Sequence, residues 1–164
     1  MTADDLVLSP RGLRFQNRVF PCNIGRGGIS AHKREGDSAT PTGTHRIVGM
    51  LFRPDRMARP TEWAVPIRPG DLWSDDPEDE DYNMMVRAPY TPSHERLRRA
   101  DPLYDLVILT DWNWPYAVPG RGSAIFIHRW RRPGFPTEGC IGLNPTHLLW
   151  IAKRIKFKTR LIVR

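Results

Sequence analysis

Only two of the 164 residues are cysteine, Cys22 and Cys140, and no cluster of Cys, His, Asp or Glu falls at metal-ligand spacing. That excludes a zinc ribbon or a disulfide-dense scaffold and predicts no metal site. No apolar run approaches the length that crosses a bilayer, and Met1-Thr2-Ala3-Asp4-Asp5 lacks the charged-then-apolar build of a signal peptide. The glycine-rich Gly25-Arg26-Gly27-Gly28 lacks the Gly-Lys-Ser/Thr ending and following helix of a phosphate-binding loop, which argues against a nucleotide. Helix-forming sequence is equally scarce, with one convincing segment after Cys140.

Turns, by contrast, are plentiful. Sixteen prolines and thirteen glycines, with 40% hydrophobic and 26% charged residues, describe one domain over residues 1–164 with a loop-rich β fold. The net charge is +7, but unevenly spread: Asp71 to Asp81 holds seven acids and no Lys or Arg, leaving +14 on the remainder. A basic body with an acidic loop suits an anionic partner such as a cell-envelope polymer. A specific nucleic-acid partner is not expected, because no zinc, helix-turn-helix or RNA-binding aromatic pattern accompanies the charge.

Along the chain, Leu6-Val7-Leu8, Leu13-Arg14-Phe15 and Arg18 to Ile24 read as three short strands in hairpins. A long shaped loop follows from Gly25 to Gly43, then a strand over Thr44–Phe52 and a shorter one at Trp63–Ile67. Residues 68–104, rich in Pro, Asp and Arg, read as a surface excursion or flap, with a short helix at Ser93–Arg99. Trp73 and Tyr82 are its candidate contacts with a substrate. Leu106-Val107-Ile108-Leu109 is a buried strand. The next, Ser123–His128, places Ala124, Phe126 and His128 on one face and Ile125 and Ile127 on the other. Asn144 as N-cap and Pro145 at the first helical position open the helix, with Leu148, Ala152 and Ile155 facing the core. Phe157–Val163 closes the chain as a strand.

The residues with chemistry lie near Cys140. A thiol preceded by Gly139 can be approached closely, and the N–H groups of Gly139 and Cys140 are candidate oxyanion donors. His128, at a strand end, is a candidate base, and Arg129, Arg131 and Arg132 add positive potential. The competing reading is an inert buried thiol ahead of Ile141 and a satisfied structural histidine. A redox pair of Cys22 with Cys140 is a further alternative.

At these positions the sequence resembles the catalytic domain of bacterial L,D-transpeptidases. His128, Thr137, Glu138, Gly139, Cys140 and Ile141 fill the family's strand-ending His and Ser/Thr-x-Gly-Cys-apolar pattern. The segment Gly36-Asp37-Ser38-Ala39-Thr40-Pro41-Thr42-Gly43 is similar to its Thr-Pro-x-Gly segment. Together the two cover about Gly25 to Ile155. Many members carry His in place of Glu138 and Arg or Asn in place of Gly142, and their His-to-Cys loop is often longer.

The resemblance implies a mainly β fold, a sandwich or open barrel of mixed sheets, with one main α-helix after the cysteine. It implies a Cys140 thiolate that attacks the stem-peptide carbonyl preceding a terminal D-alanine of peptidoglycan, forms a thioester and passes the acyl group to an amine. His128 would be base and then acid, oriented by Asp111, Asn113 or a backbone carbonyl. Tyr82, Asn83, Arg129, Asp111, Asn113 and Thr40 are the substrate-binding candidates, and Thr137, Glu138, Gly139, Ile141 and Gly142 shape the site loop. No cofactor is required, and the implied location is the periplasm or cell envelope. Alternatives are an L,D-carboxypeptidase and a non-catalytic envelope-binding module.

Overall fold

The computed structural model describes residues 1–164. Leu6–Ser9 (β1) and Gly12–Phe15 (β2) form a hairpin with Leu8 opposite Leu13, and Arg18–Phe20 (β3) adds to β2. Pro21 cannot donate to a ladder, so the expected third strand breaks there. Cys22–Asn23 (β4) begins again on a different partner. Ile29–Ser30 (β5) and Thr40–Pro41 (β6) pair in parallel within the glycine-rich loop. Gly43–Phe52 (β7) and Val65–Pro66 (β8) follow, then Asp71–Ser74 (β9), Met85–Arg87 (β10) and His94–Arg96 (β11). The chain ends with Leu106–Thr110 (β12), Phe126–Arg129 (β13), Ile141–Leu143 (β14), the helix Pro145–Ala152 (α1) and Arg160–Val163 (β15).

Ten strands make one mixed sheet, in the order β3-β2-β1-β15-β7-β12-β13-β14-β4, with β8 beside β7. β3 and β4 stand at its two ends yet are separated in the chain by Pro21 alone. The sheet must therefore curl until its edges nearly meet, which gives a barrel-like, mostly β fold with one helix.

Two cores follow from the period-two alternation of its central strands. In β12, Leu106 and Ile108 face the barrel interior while Val107 faces outward, and in β13 Ile127 faces inward while Phe126 faces outward. Both faces are covered, which explains why Leu106–Leu109 is a continuous apolar run. Leu148, Ile151 and Ala152 of α1 join the interior core. The Asn144 side chain caps this helix by accepting from the Thr146 N–H at 2.9 Å.

The outer core corrects the expectation for residues 68–104. The segment is a three-stranded sheet, β10-β9-β11, packed over β7, β12 and β13 through Trp73, Leu97 and Tyr104. Its Ser93–Arg99 stretch is not helical, because His94–Arg96 finds a strand partner in β9 and Leu97 enters the outer core. The acids of Asp71–Asp81 are partly taken up inside it: Asp71 accepts from the Arg68 N–H at 2.7 Å, and Asp79 from Ser74 Oγ at 2.5 Å and from the Tyr90 hydroxyl.

Asn83 ties this flap to the barrel. Its Oδ1 accepts from Trp73 Nε1 at 3.0 Å and the Ala124 N–H at 2.9 Å, and its Nδ2 donates to the carbonyls of Trp112 at 3.0 Å and Asn113 at 2.8 Å. Its φ of 60° is a left-handed conformation that asparagine tolerates well. Asn83→Ala strands four buried polar groups and is expected to lower stability by about 3 kcal/mol in denaturant titration. An unchanged midpoint would show that the flap does not depend on this side chain.

Candidate active site

Two loops distant in sequence meet at Cys140. The Arg26 N–H donates to the Thr137 carbonyl at 2.8 Å, and the Thr137 N–H to that of Ile24 at 2.9 Å. Thr40 Oγ1 accepts from the Gly25 N–H at 2.9 Å and donates to the Gly139 carbonyl at 2.8 Å. Within the turn, Thr137 Oγ1 donates to the Cys140 carbonyl at 2.6 Å and accepts from the Gly139 N–H at 3.2 Å. Gly139 must be glycine: its φ is 135°, and an added Cβ would lie 2.9 Å from the Ala39 carbonyl oxygen.

β13 and β14 are parallel neighbours, with Ile127 opposite Ile141 and His128 opposite Gly142. Cys140 precedes Ile141, so by strand periodicity its side chain and that of His128 share the face turned toward the flap. The thiol donates to the Ala124 carbonyl at 3.1 Å and receives the Phe126 N–H at 3.4 Å. His128 Nδ1 lies 2.7 Å from the Arg129 carbonyl, which assigns the ring proton to Nδ1 and leaves Nε2 as the basic nitrogen. The Tyr104 ring stands edge-on to the imidazole, with centroids 5.2 Å apart.

Burial governs both ionisations. It depresses His128 to about 4, with the charges of Arg99 and Arg131 acting in the same direction. It also pushes the Cys140 thiol up to about 12, and the negative charge of Glu95 adds to this. At neutral pH the pair is therefore thiol and neutral imidazole rather than a thiolate–imidazolium pair.

Cys140 and His128 open into a cavity of about 540 Å³. Its walls carry four acids, Glu35, Asp75, Glu95 and Glu138, against four bases, Arg26, Lys33, Arg99 and Arg131. Three of the bases are engaged: Arg26 with Glu138 at 3.2 Å, Lys33 with Asp37 at 2.5 Å and Arg99 with Asp101 at 2.6 Å. Such a wall suits a ligand bearing both signs of charge.

The sequence profile of the L,D-transpeptidase catalytic domain matches residues 9–163. The chain belongs to this family. Among solved structures, an L,D-transpeptidase from Mycobacterium smegmatis aligns over 97% of the chain at 12% identity and a TM-score of 0.45, and the chain spans 56% of that protein. Comparison with curated protein sequences gives no match.

The transpeptidase-type turn keeps Thr137, Gly139 and Cys140 together, with Ile141 fully buried in the interior core. Glu138, where many members carry His, is exposed and links Arg26 to the Ser38 hydroxyl, so it clips the two loops together at the surface. Gly142 leaves room for Trp130: an added Cβ would come within 3.2 Å of Trp130 Cβ.

Several substrate-binding candidates are placed otherwise than expected. Thr40 is fully buried and holds the Gly139 carbonyl. The Tyr82 hydroxyl, also buried, donates to Glu35 and accepts from the Gly122 N–H at 3.0 Å. The Asn83 amide is consumed by its four internal bonds, and Trp73 lies in the outer core. Asp111 accepts from the Arg46 N–H at 2.8 Å, and Asn113 Nδ2 donates to the carbonyls of Val118 at 3.1 Å and Gly122 at 3.0 Å. Both line a separate depression around Trp112. Neither orients His128; Arg129 does, through its carbonyl. Of the two expected oxyanion donors, the Gly139 N–H is already bonded to Thr137, whereas the Cys140 N–H donates to no turn, loop or side-chain acceptor. Cys22 packs against the interior core, and both cysteines are free thiols.

Glu95 and Tyr104 were not singled out in the sequence. Nothing local marks them, because they reach the cavity through flap pairing and packing. The raised Cys140 pKa predicts slow alkylation by iodoacetamide at pH 7, about a thousandfold below free cysteine, with a rate still climbing at pH 10. Peptide mapping of the modified residue measures it, and rapid labelling of Cys140 at pH 7 would contradict the buried-thiol electrostatics.

Proposed function

We propose that the domain is a cysteine-dependent peptidoglycan L,D-transpeptidase, with Cys140 as nucleophile and His128 as general base and acid. The supporting observation is that thiol and imidazole share one face of two paired strands at a common cavity, with Nε2 free. Resting thiol and neutral imidazole suit a mechanism in which proton transfer accompanies substrate attack. The thiol leaves the Ala124 carbonyl, gives its proton to His128 Nε2, and attacks the carbonyl that precedes the terminal D-alanine. The unclaimed Cys140 N–H receives the developing oxyanion. Imidazolium then protonates the departing amine of D-alanine, leaving the thioester and a neutral histidine. An amine acceptor resolves the thioester into a crosslink; water in its place would make the reaction an L,D-carboxypeptidase.

No helix is long and apolar enough to cross a membrane. Family membership supports action on peptidoglycan outside the cytoplasm, and the cavity's mixed charge supports a stem peptide as the ligand.

The test is intact-mass spectrometry after incubation with a tetrapeptide stem. The expected product is an adduct of the tripeptide acyl group with release of D-alanine. Cys140→Ala should carry no adduct, and His128→Ala should form it about 10²- to 10⁴-fold more slowly. An adduct on Cys140→Ala would sink the assignment. Above pH 4 His128 is neutral and competent as a base, and below it protonation removes the acceptor. The rate of acylation should therefore hold between pH 5 and 8 and fall through about pH 4. An acid limb near 6.5 would place an unburied histidine in the role instead.

A further inference from the structure

Glu95 carries no proton or bond in the acylation half of the reaction, and its negative charge, which helps keep the Cys140 thiol protonated, opposes formation of the thiolate. It sits on β11 opposite Trp73 of β9 and lines the same cavity as Cys140 and His128. The Tyr104 hydroxyl donates to its Oε2 at 2.6 Å and is its hydrogen-bond partner, leaving Oε1 free. The neighbouring guanidinium of Arg99 is hydrogen-bonded to Asp101 through Nε at 2.9 Å and a second nitrogen at 2.6 Å and acts on Glu95 only at longer range, so Glu95 has no direct ion pair within the protein. Tyr104, 5% exposed, is wedged between this carboxylate and the His128 ring. A half-buried, unpaired carboxylate fixed on one side and open to the cavity on the other calls for a cation from outside.

We propose that Glu95 is the acceptor-amine residue: its free oxygen binds the primary ammonium of the incoming acceptor, removes one proton and directs the resulting amine at the Cys140 thioester. This rests on the acyl-transfer reading above. In the step, the amine nitrogen bonds to the acyl carbon and the carbon–sulfur bond breaks. The second nitrogen proton passes to His128, which returns it to the departing thiolate. Glu95 releases its own proton to solvent, and the enzyme regains its resting form. Burial raises the Glu95 pKa, which brings the carboxylate closer to the ammonium in basicity. The residue thus selects an amine over water for the second half-reaction.

The experiment follows acyl-enzyme formed from a tetrapeptide stem, then chased with a stem peptide bearing a free amine, and measures the ratio of crosslinked to hydrolysed product. Glu95→Gln should still form the acyl-enzyme, and its aminolysis-to-hydrolysis ratio should fall about 10- to 100-fold. Hydroxylamine, a nucleophile that is largely neutral at pH 7, should resolve the thioester at equal rates in both proteins. A Glu95→Gln acyl-enzyme with a ratio equal to wild type overturns the role of Glu95 and leaves the acyl-transfer reading standing. If wild type forms no acyl-enzyme, both fall. Should Glu95→Gln fail to fold, the wild-type acyl-enzyme decides: aminolysis that saturates with acceptor and is inhibited by simple alkylammonium ions supports the site, whereas a linear, uninhibited dependence overturns it.

Discussion

The parallel pairing of β13 with β14 is the contact on which the site depends. It sets Ile127 against Ile141 in the interior and His128 against Gly142 on the opposite face, so a single register fixes both a core layer and the relation of imidazole to thiol. A slip of β14 by one residue against β13 would turn Cys140 into the barrel and leave His128 on the opposite face. The strand begins immediately after Cys140, and the turn before it can form only because Gly139 occupies a conformation closed to other residues. Thr40 and Thr137 then hold that turn from either side through hydroxyl bonds to backbone carbonyls.

Burial sets the ionisation of the His128 and Cys140 side chains. The flap covers the outer face of the same strands, and the water it excludes is what lowers the histidine pKa and raises that of the thiol. In the proposed mechanism, reactivity is thereby coupled to occupancy of the cavity, since only an incoming electrophile rewards transfer of the thiol proton. The balanced charge of the walls supplies no strong field of either sign. The net basic charge of the chain is accordingly a property of its outer surface more than of its site.

Much of this architecture was legible from residue patterns. The hairpin at Leu6–Phe15, the apolar run at Leu106–Leu109 and the Asn144-Pro145 helix start are local signals, and local backbone and periodicity rules carried them into the structure. Thr137, Gly139, Cys140 and His128 were legible as a set because their order resembles a known family pattern. What misled was composition: proline and acid between residues 68 and 104 read as surface, although Trp73, Tyr82, Asn83 and Leu97 are buried there. The acids are partly satisfied by partners within the flap, and a strand pair with a buried tryptophan outweighs a polar average.

The order of strands along the chain and the identity of the thiol and histidine are thus determined by the sequence itself, through periodicity, turn residues and glycine's backbone freedom. Tertiary structure alone decided which carbonyl orients His128, that Thr40 and Asn83 support the scaffold, and that Glu95 and Tyr104 join the cavity. The physical reason is range. A turn or a strand is settled by neighbours a few residues apart, whereas the ionisation and orientation of a side chain depend on burial and partners that only the curled sheet and its packed flap bring together.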